Sequence, residues 1–98
     1  MKRPVPLLNE DQIQEQMLNL PDWQRDGSTL KRTYTTRNFL HGLDFLNRIA
    51  PEAEALNHHP DVSLHYKRVV IALTTHDSGG LTELDFQLAT RMEAVWNR

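Results

Sequence analysis

Histidines in the second half of the chain supply the side chains that proton transfer requires. His58 and His59 are adjacent and directly precede Pro60, and His76 follows 18 positions after His58. An imidazole has an unperturbed pKa of about 6.5, so it can donate or accept a proton near neutral pH. Two imidazoles on opposite sides of a substrate can therefore carry out an elimination or a hydration, in which one protonates a leaving hydroxyl and the other removes a proton elsewhere.

The residues around the histidines predict which way the rings face. Pro60 keeps the preceding residue extended, and successive side chains of an extended chain point in opposite directions. We therefore expect at least one of His58 and His59 to reach the surface or a cleft. His76 should lie near both, because it follows the second strand of a hairpin whose first strand begins just after Pro60.

A structural role and a zinc site are the alternatives to acid–base chemistry. A single histidine is more often a surface or structural residue, and only the combination of all three with a Gly-Gly turn favours a functional site. Three histidines can hold zinc and leave a fourth position open. However, the helical pair of histidines four residues apart is missing, and adjacent histidines in an extended chain point apart. We therefore predict acid–base chemistry and no metal.

Two carboxylic acids can support these histidines. Glu54 lies four positions before His58, so it can orient that ring or simply be a surface residue of a helix. Asp85 is the third residue of the last predicted helix, where it completes a cap. Alternatively, Asp85 accepts a hydrogen bond from His76 and fixes the tautomer of that ring. The sequence leaves both pairs of alternatives open.

The loop that contains His76 is expected to turn tightly at Gly79-Gly80 into the last helix. The run "DSGG" is too short for a phosphate-binding loop and lacks the lysine. Such a turn would leave backbone N–H and C=O groups of residues 75–78 free to bind a flat polar heterocycle.

Helices and strands with recognisable end signals must position these residues. They follow the order α-β-β-α-β-β-α. Because hairpins dominate, we expect an α+β fold: a four-stranded antiparallel sheet with three helices packed on one face. In order, the expected elements are an extended lead-in over residues 1–8, a helix capped by Asn9 and Gln12, a hairpin around Asp26-Gly27, a helix from about Asn38 to Leu56, strands on either side of Lys67, and a helix capped by Thr82.

The long central helix carries more apolar residues than one face needs. Spacings of three and four predict a buried stripe, which other apolar residues widen. Pro51 lacks the N–H that a helix interior uses, so we expect a kink or a fresh turn there, and Asn57 is expected to end the helix. The predicted stripe is Phe39, Leu43, Leu46, Ala50 and Ala53, widened by Phe45, Ile49 and Leu56.

Length and composition exclude several classes of function. The 98 residues predict one domain over 1–98, and the formal net charge of −2 gives no electrostatic case for binding nucleic acid or a membrane. There is no cysteine, which excludes disulfides, thiolate metal sites and a cysteine nucleophile. The basic N-terminus is followed by no apolar segment of a secretory signal, and no run approaches the roughly 20 apolar residues of a membrane helix. We therefore expect a cytoplasmic protein.

The combined pattern E-x3-H-H-P-x5-Y-x9-H resembles the pterin-4a-carbinolamine dehydratase family. The run "THDSGGLTELD" that ends at Asp85 matches the family too, as does the order of elements from about Leu8 to Trp96. Taken together these motifs are far more specific than any single histidine. The residues that carry the pattern are Glu54, His58, His59, Pro60, Tyr66 and His76.

The resemblance implies a reaction. The family removes water from 4a-hydroxytetrahydropterins and forms quinonoid dihydropterin for tetrahydropterin recycling, with no metal or organic cofactor. By carry-over, His58 and His76 would be the acid–base pair and His59 would position the pterin. Residues 58–60 and 75–78 would line the pterin pocket, which adds Pro60, Thr75, Asp77 and Ser78 as substrate contacts.

The resemblance also implies association with partners. Family members form homodimers or homotetramers, and an animal member doubles as a dimerisation cofactor of a homeodomain transcription factor. The alternative to an enzyme is therefore a non-catalytic binding or assembly protein of the same fold, which contacts other proteins and neither nucleic acid nor membrane directly.

Overall fold

A computed structural model describes residues 4–98 and confirms the predicted order of elements. The four strands form one antiparallel sheet in the order β1-β2-β4-β3. Residues 4–8 of the expected lead-in form neither helix nor strand, and residues 1–3 lie outside the described part of the chain. The elements are α1 (Glu10–Met17), β1 (Gln24–Asp26), β2 (Thr29–Thr35), α2 (Phe39–Leu56), β3 (Asp61–His65), β4 (Arg68–Leu73), a 3-10 helix (His76–Ser78) and α3 (Glu83–Trp96).

Local hydrogen bonds start the first and last helices where the sequence predicts. At α1, the Asn9 side chain accepts the Gln12 N–H, and the Gln12 side chain accepts the Asn9 N–H. At α3, Leu84 N–H donates to Thr82 Oγ1 at 3.2 Å, and Thr82 N–H donates to Asp85 Oδ2 at 2.9 Å. These reciprocal caps provide acceptors for backbone N–H groups that have no partner within the helix. Local sequence therefore specifies where α1 and α3 begin.

The sheet buries one face beneath the helices. The apolar side chains that point to this face from the two central strands are completely buried and Arg32 is partly buried there, whereas alternate residues such as Lys31 and Thr33 are exposed. The period-two alternation therefore confirms a one-sided sandwich. Among the described residues, β3 pairs only with β4, so its outer edge is open. The buried residues of the central strands are Leu30, Tyr34, Val69, Ile71 and Leu73.

The buried face of α2 is not the predicted stripe. Phe39, Leu43 and Ala50 are exposed, and Leu46 is half-buried, so of the five predicted residues only Ala53 is buried. The widening set faces the core instead, with Phe45 and Ile49 buried and Leu56 half-buried.

A glycine decides which side of α2 meets the sheet. A Cβ at Gly42 would lie 2.8 Å from Leu64 Cδ1 and 3.2 Å from Val69 Cγ2. The absence of a side chain at this position lets α2 approach β3 and β4 closely, and the face that contains Gly42 is therefore the buried one. The three exposed residues Phe39, Leu40 and Leu43 form what we call the outer stripe of α2.

No fresh turn begins at Pro51, because α2 continues through this residue to Leu56. Proline removes the donor that would have bonded to the carbonyl of Asn47, and both residues are on the exposed side of the helix, where water can replace that bond. Asn57 ends the helix in a left-handed conformation, with φ 48° and ψ 43°, as predicted. Within residues 4–98 no helix is both long and apolar enough to cross a membrane.

Candidate active site

The end of α2 turns His58 into the protein. Asn57 has left-handed dihedral angles, so the helix stops there and His58 does not continue the helical spiral. The His58 backbone N–H donates to Ala53 O at 3.1 Å, and the side chain is almost entirely buried. Its ring Nε2 lies 2.6 Å from Asp85 Oδ1, so the histidine that ends one helix meets an acid from the first turn of another.

Asp85 has a fully buried carboxylate whose other oxygen is also occupied. Oδ2 accepts the hydroxyl of Thr75 and the backbone N–H of Thr82, both at 2.9 Å, and the hydroxyls of Thr75 and Thr82 are 2.8 Å apart. An ionised carboxylate can only accept hydrogen bonds. With Asp85 ionised, His58 Nε2 is the donor in this contact, and a neutral ring would then have a lone pair on Nδ1, to which the described residues give no hydrogen bond.

His59 and Glu54 form a second histidine–carboxylate pair on the surface. His59 Nε2 lies 2.6 Å from Glu54 Oε2, and both side chains are mostly exposed. With Pro60 and Val62 they line a cavity of about 420 Å³ between α2 and β3. One buried and one exposed histidine agree with the prediction that the two rings cannot both face the core.

Each carboxylate contacts a different histidine from the one that the sequence offered as its possible partner. Glu54 contacts His59 rather than His58, because the four-residue spacing places two side chains together only while the helix continues, and α2 ends before His58. Asp85 contacts His58 rather than His76. Asp85 caps α3, as one interpretation predicted, and the histidine that it contacts is His58 rather than the His76 of the other interpretation.

A cavity of about 450 Å³ opens at His58. Thr75, Asp77 and Ser78 from the loop after β4 line one side, and Pro4 and Val5 from the N-terminal segment line another. Cavities of about 300–1,000 Å³ hold small organic molecules, so a bicyclic heterocycle fits this volume.

His76 starts the 3-10 helix whose next two residues line the cavity. Its side chain is exposed and is not among the described side chains that line the cavity. The structure thus brings four of the predicted site residues to one cavity, namely His58, Thr75, Asp77 and Ser78. His59 and Pro60 line the neighbouring cavity instead.

The backbone of residues 75–78 is less free than expected. Thr75 O accepts the N–H groups of Ser78, Gly79 and Gly80, and Thr75 N–H donates to Gly80 O. The loop uses these groups to close on itself around Gly79, which has a φ of 77°. The N–H and carbonyl of Thr75 and the N–H of Ser78 are therefore engaged within the loop rather than available to a ligand.

Sequence reasoning missed the N-terminal segment as part of this site. Ser78 Oγ donates to Val5 O at 2.5 Å, and this contact joins residues 73 positions apart in the chain. No local pattern predicts a contact over that separation. Within residues 4–98, no three His, Asp or Glu side chains are grouped in an arrangement that can hold a metal ion.

The fold and the site together define an α+β domain in which a buried carboxylate holds a histidine at a cavity of small-molecule size. The sequence pattern of pterin 4 alpha carbinolamine dehydratase matches residues 6–95. A protein of Chloroflexus aurantiacus, whose name provisionally makes it a pterin-4-alpha-carbinolamine dehydratase, is 44% identical over 91 residues, which cover 93% of this chain and 98% of that protein. The chain belongs to the pterin-4a-carbinolamine dehydratase family.

Solved structures agree with this relationship. The crystal structure of a transcriptional coactivator/pterin dehydratase from Brucella melitensis has a TM-score of 0.86 at 33% identity and covers 91% of this chain and 97% of its own. A pterin dehydratase-like protein identified as a RuBisCO assembly factor in the alpha-carboxysome has a TM-score of 0.60 at 22% identity, with 74% of this chain and 84% of that one covered. This second likeness shows a common fold alone.

Proposed function

We propose that this chain is a dehydratase that removes water from 4a-hydroxytetrahydropterin and forms quinonoid dihydropterin. Its place in the family over nearly the whole chain supports the reaction class. The observation that carries the proposal is the 2.6 Å contact between buried Asp85 and His58 at the edge of the cavity. A carboxylate that fixes the tautomer of an imidazole is the arrangement that a histidine base needs.

The proposed reaction requires one proton donor and one proton acceptor. The C4a–O bond breaks and the hydroxyl leaves as water after it receives a proton, while a ring N–H of the pterin loses its proton to a base. Neutral His58 has a free lone pair on Nδ1 and accepts the ring proton. Protonated His76, on the loop that lines the cavity, donates to the leaving hydroxyl.

His59 positions the pterin in this proposal, with Glu54 holding its ring. The family pattern is what supports this role for His59. His59 and Pro60 line a different cavity from His58, the one between α2 and β3. Thr75, Asp77 and Ser78 contact the substrate inside the cavity at His58. We propose no metal or organic cofactor, and we place the reaction in the cytoplasm as a step of tetrahydropterin recycling.

A stopped-flow assay on freshly generated carbinolamine tests the activity. The protein should accelerate dehydration over buffer, and no acceleration would rule out the proposed reaction. His76→Ala should lower the rate by about 10²-fold or more, the contribution of one acid–base group. His65→Ala is the control, because His65 lies on β3 and not on the loop that carries His76 and lines the cavity at His58. An unchanged rate in His76→Ala would remove His76 from its proposed role.

The outer stripe of α2 favours a second role in association. Phe39 and Leu43 are partly exposed and Leu40 is 73% exposed, and large apolar groups that are clustered on a surface mark contact sites. We propose that a second copy of the chain covers the stripe and forms a homodimer or homotetramer. A protein that associates but fails the stopped-flow assay would instead be a non-catalytic assembly partner, as the solved RuBisCO assembly factor of similar fold is named.

A further inference from the structure

Residues 4–8, the N-terminal segment, cross the loop that follows β4 and are held there at two points. Ser78 Oγ donates to Val5 O at 2.5 Å, and Leu8 N–H donates to Leu81 O at 3.0 Å. Between these bonds, Leu7 packs over Gly80 so closely that a Cβ at Gly80 would lie 3.1 Å from Leu7 Cδ2. The segment is therefore fixed to the loop from both ends.

The segment is also anchored at the helix that follows it. Glu10, the first residue of α1, accepts hydrogen bonds from both terminal nitrogens of Arg25, at 2.5 and 2.8 Å. These hydrogen bonds lower the pKa of the Glu10 carboxyl from its ordinary value. With α1 tied to β1, the position of residues 4 and 5 depends mainly on the bond from Ser78.

The N-terminal end of the segment, Pro4 and Val5, forms a wall of the cavity at His58. Pro4 and Val5 line this cavity together with polar residues of the loop, and Val5 is half-buried. At its N-terminal end this apolar wall is joined to the loop by one hydrogen bond, from the Ser78 hydroxyl to Val5 O, so that bond helps to fix its position. A ligand whose substituent points toward Pro4 and Val5 would contact these side chains.

We propose that the N-terminal segment limits the size of the substituent that the site accepts on its heterocyclic ligand, and that Ser78 is the positioning residue that holds this wall in place. This inference rests on the proposed function, because it takes reduced pterins as the ligands. The substituent concerned is the one at C6 of the reduced ring, the position at which pterins differ in size.

Equilibrium binding of two stable 7,8-dihydropterins, with a 6-methyl or a 6-phenyl group, tests this inference by fluorescence titration. In Ser78→Ala the larger ligand should gain affinity relative to the smaller by about fivefold, the equilibrium factor that corresponds to one ordinary hydrogen bond. Ser78→Thr keeps a hydroxyl and should keep the wild-type ratio. Val5→Ala trims the wall without removing the backbone carbonyl, so it should shift the ratio in the same direction.

Thr74→Val is the matched control, because Thr74 Oγ1 donates to Ser28 O at 2.6 Å in the same way but Thr74 does not line the cavity. An unchanged affinity ratio in both Ser78→Ala and Val5→Ala, or an equal shift in Thr74→Val, would overturn the inference. Dihydropterin binding without dehydration would reject the proposed reaction, while the affinity ratio still decides the role of the wall. If the wild-type protein binds neither ligand, both proposals are rejected.

Discussion

A single carboxylate decides the chemistry of His58. Asp85 Oδ2 already accepts the Thr82 N–H and the Thr75 hydroxyl, so an asparagine at this position must keep its oxygen on that side. Its NH2 group would then point at His58 Nε2 and would force Nε2 to become the acceptor. In Asp85→Asn the proton of neutral His58 therefore moves to Nδ1, and the lone pair that the proposed base needs is lost.

We expect Asp85→Asn to lower kcat by about 10²-fold, the scale of one acid–base group, with the fold retained. Nitrogen chemical shifts of His58 should report the change of tautomer directly. Glu54→Gln is the comparison, because it alters the exposed pair with His59 and should leave kcat nearly unchanged. An equal loss of kcat in both variants, or an unaltered tautomer in Asp85→Asn, would contradict this account.

At the same scale, the sequence predicts which residue types form the candidate site but not which carboxylate contacts which ring. The residue types at positions 54, 58, 59, 76 and 85 are the ones that proton transfer requires, and a pattern of types is visible in a sequence. Which carboxylate meets which ring depends on where α2 stops. Because Asn57 has left-handed dihedral angles, the chain after it changes direction. Residue spacings of a continuous helix therefore do not predict the contacts of His58 and His59.

Tyr34 connects the sheet to the last helix. The ring is fully buried, its hydroxyl donates to Glu93 Oε2 at 2.7 Å, and the Arg32 guanidinium lies 4.0 Å from the ring centre and donates from Nε to Glu93 Oε1 at 3.2 Å. Burial raises the pKa of Tyr34 well above its ordinary value, and the bond to Glu93 acts in the same direction. β2 and α3 are therefore joined through one protonated phenol.

We expect Tyr34→Phe to lower the free energy of unfolding by about 2 kcal/mol, because Glu93 loses a donor to a charged group while the ring packing remains. Denaturant titration measures this change. Tyr66→Phe is the control, since Tyr66 is 68% exposed and the described residues give its hydroxyl no hydrogen bond. Equal losses in the two variants would show that the hydrogen bond to Glu93 does not stabilise the fold.

The raised pKa of Tyr34 also predicts the alkaline behaviour of the fold. Above a pH of about 10, the unfolded chain releases a phenol proton that the folded chain retains, so the free energy of unfolding falls as the pH rises. Tyr34→Phe should reduce this fall and Tyr66→Phe should not. Denaturant titrations between pH 8 and 11 measure the difference. If the stability of Tyr34→Phe falls with pH as steeply as that of the wild type, the prediction is wrong.

The sequence predicts helix starts and turns well, because neighbouring residues determine them. It predicts less well which face of a helix is buried. The caps at Asn9 and Thr82 and the turn at Gly27 act through neighbouring residues, so the sequence contains their whole cause. α2 carries apolar residues on two sides, and the spacing of these residues alone does not show which side is buried. The contact of Gly42 with Leu64 and Val69 ranks them, and it becomes visible only when the helix lies on the sheet.

At the scale of the whole molecule, the outer stripe of α2 is an apolar surface that the fold leaves exposed to solvent. The same helix packs against β3, whose outer edge pairs with no described strand. An open strand edge and an exposed apolar stripe are two features that association covers. A chain of 98 residues buries a limited core, so a second copy would add apolar burial that the monomer lacks.

We expect the wild-type protein to be a dimer or tetramer by size-exclusion chromatography with light scattering, and Leu40→Glu to shift it toward the monomer, because a charge in an apolar interface loses its hydration without gaining a partner. Leu18→Glu is a close control, since Leu18 is 81% exposed and Leu40 73% exposed, but Leu18 lies at the end of α1, away from the outer stripe. A monomeric wild type, or equal dissociation by both substitutions, would show that the stripe is not an interface. If Leu40→Glu is a monomer that still dehydrates carbinolamine at the wild-type rate, then one chain contains the complete site, whereas a parallel loss of activity would mean that the neighbouring copy contributes to it.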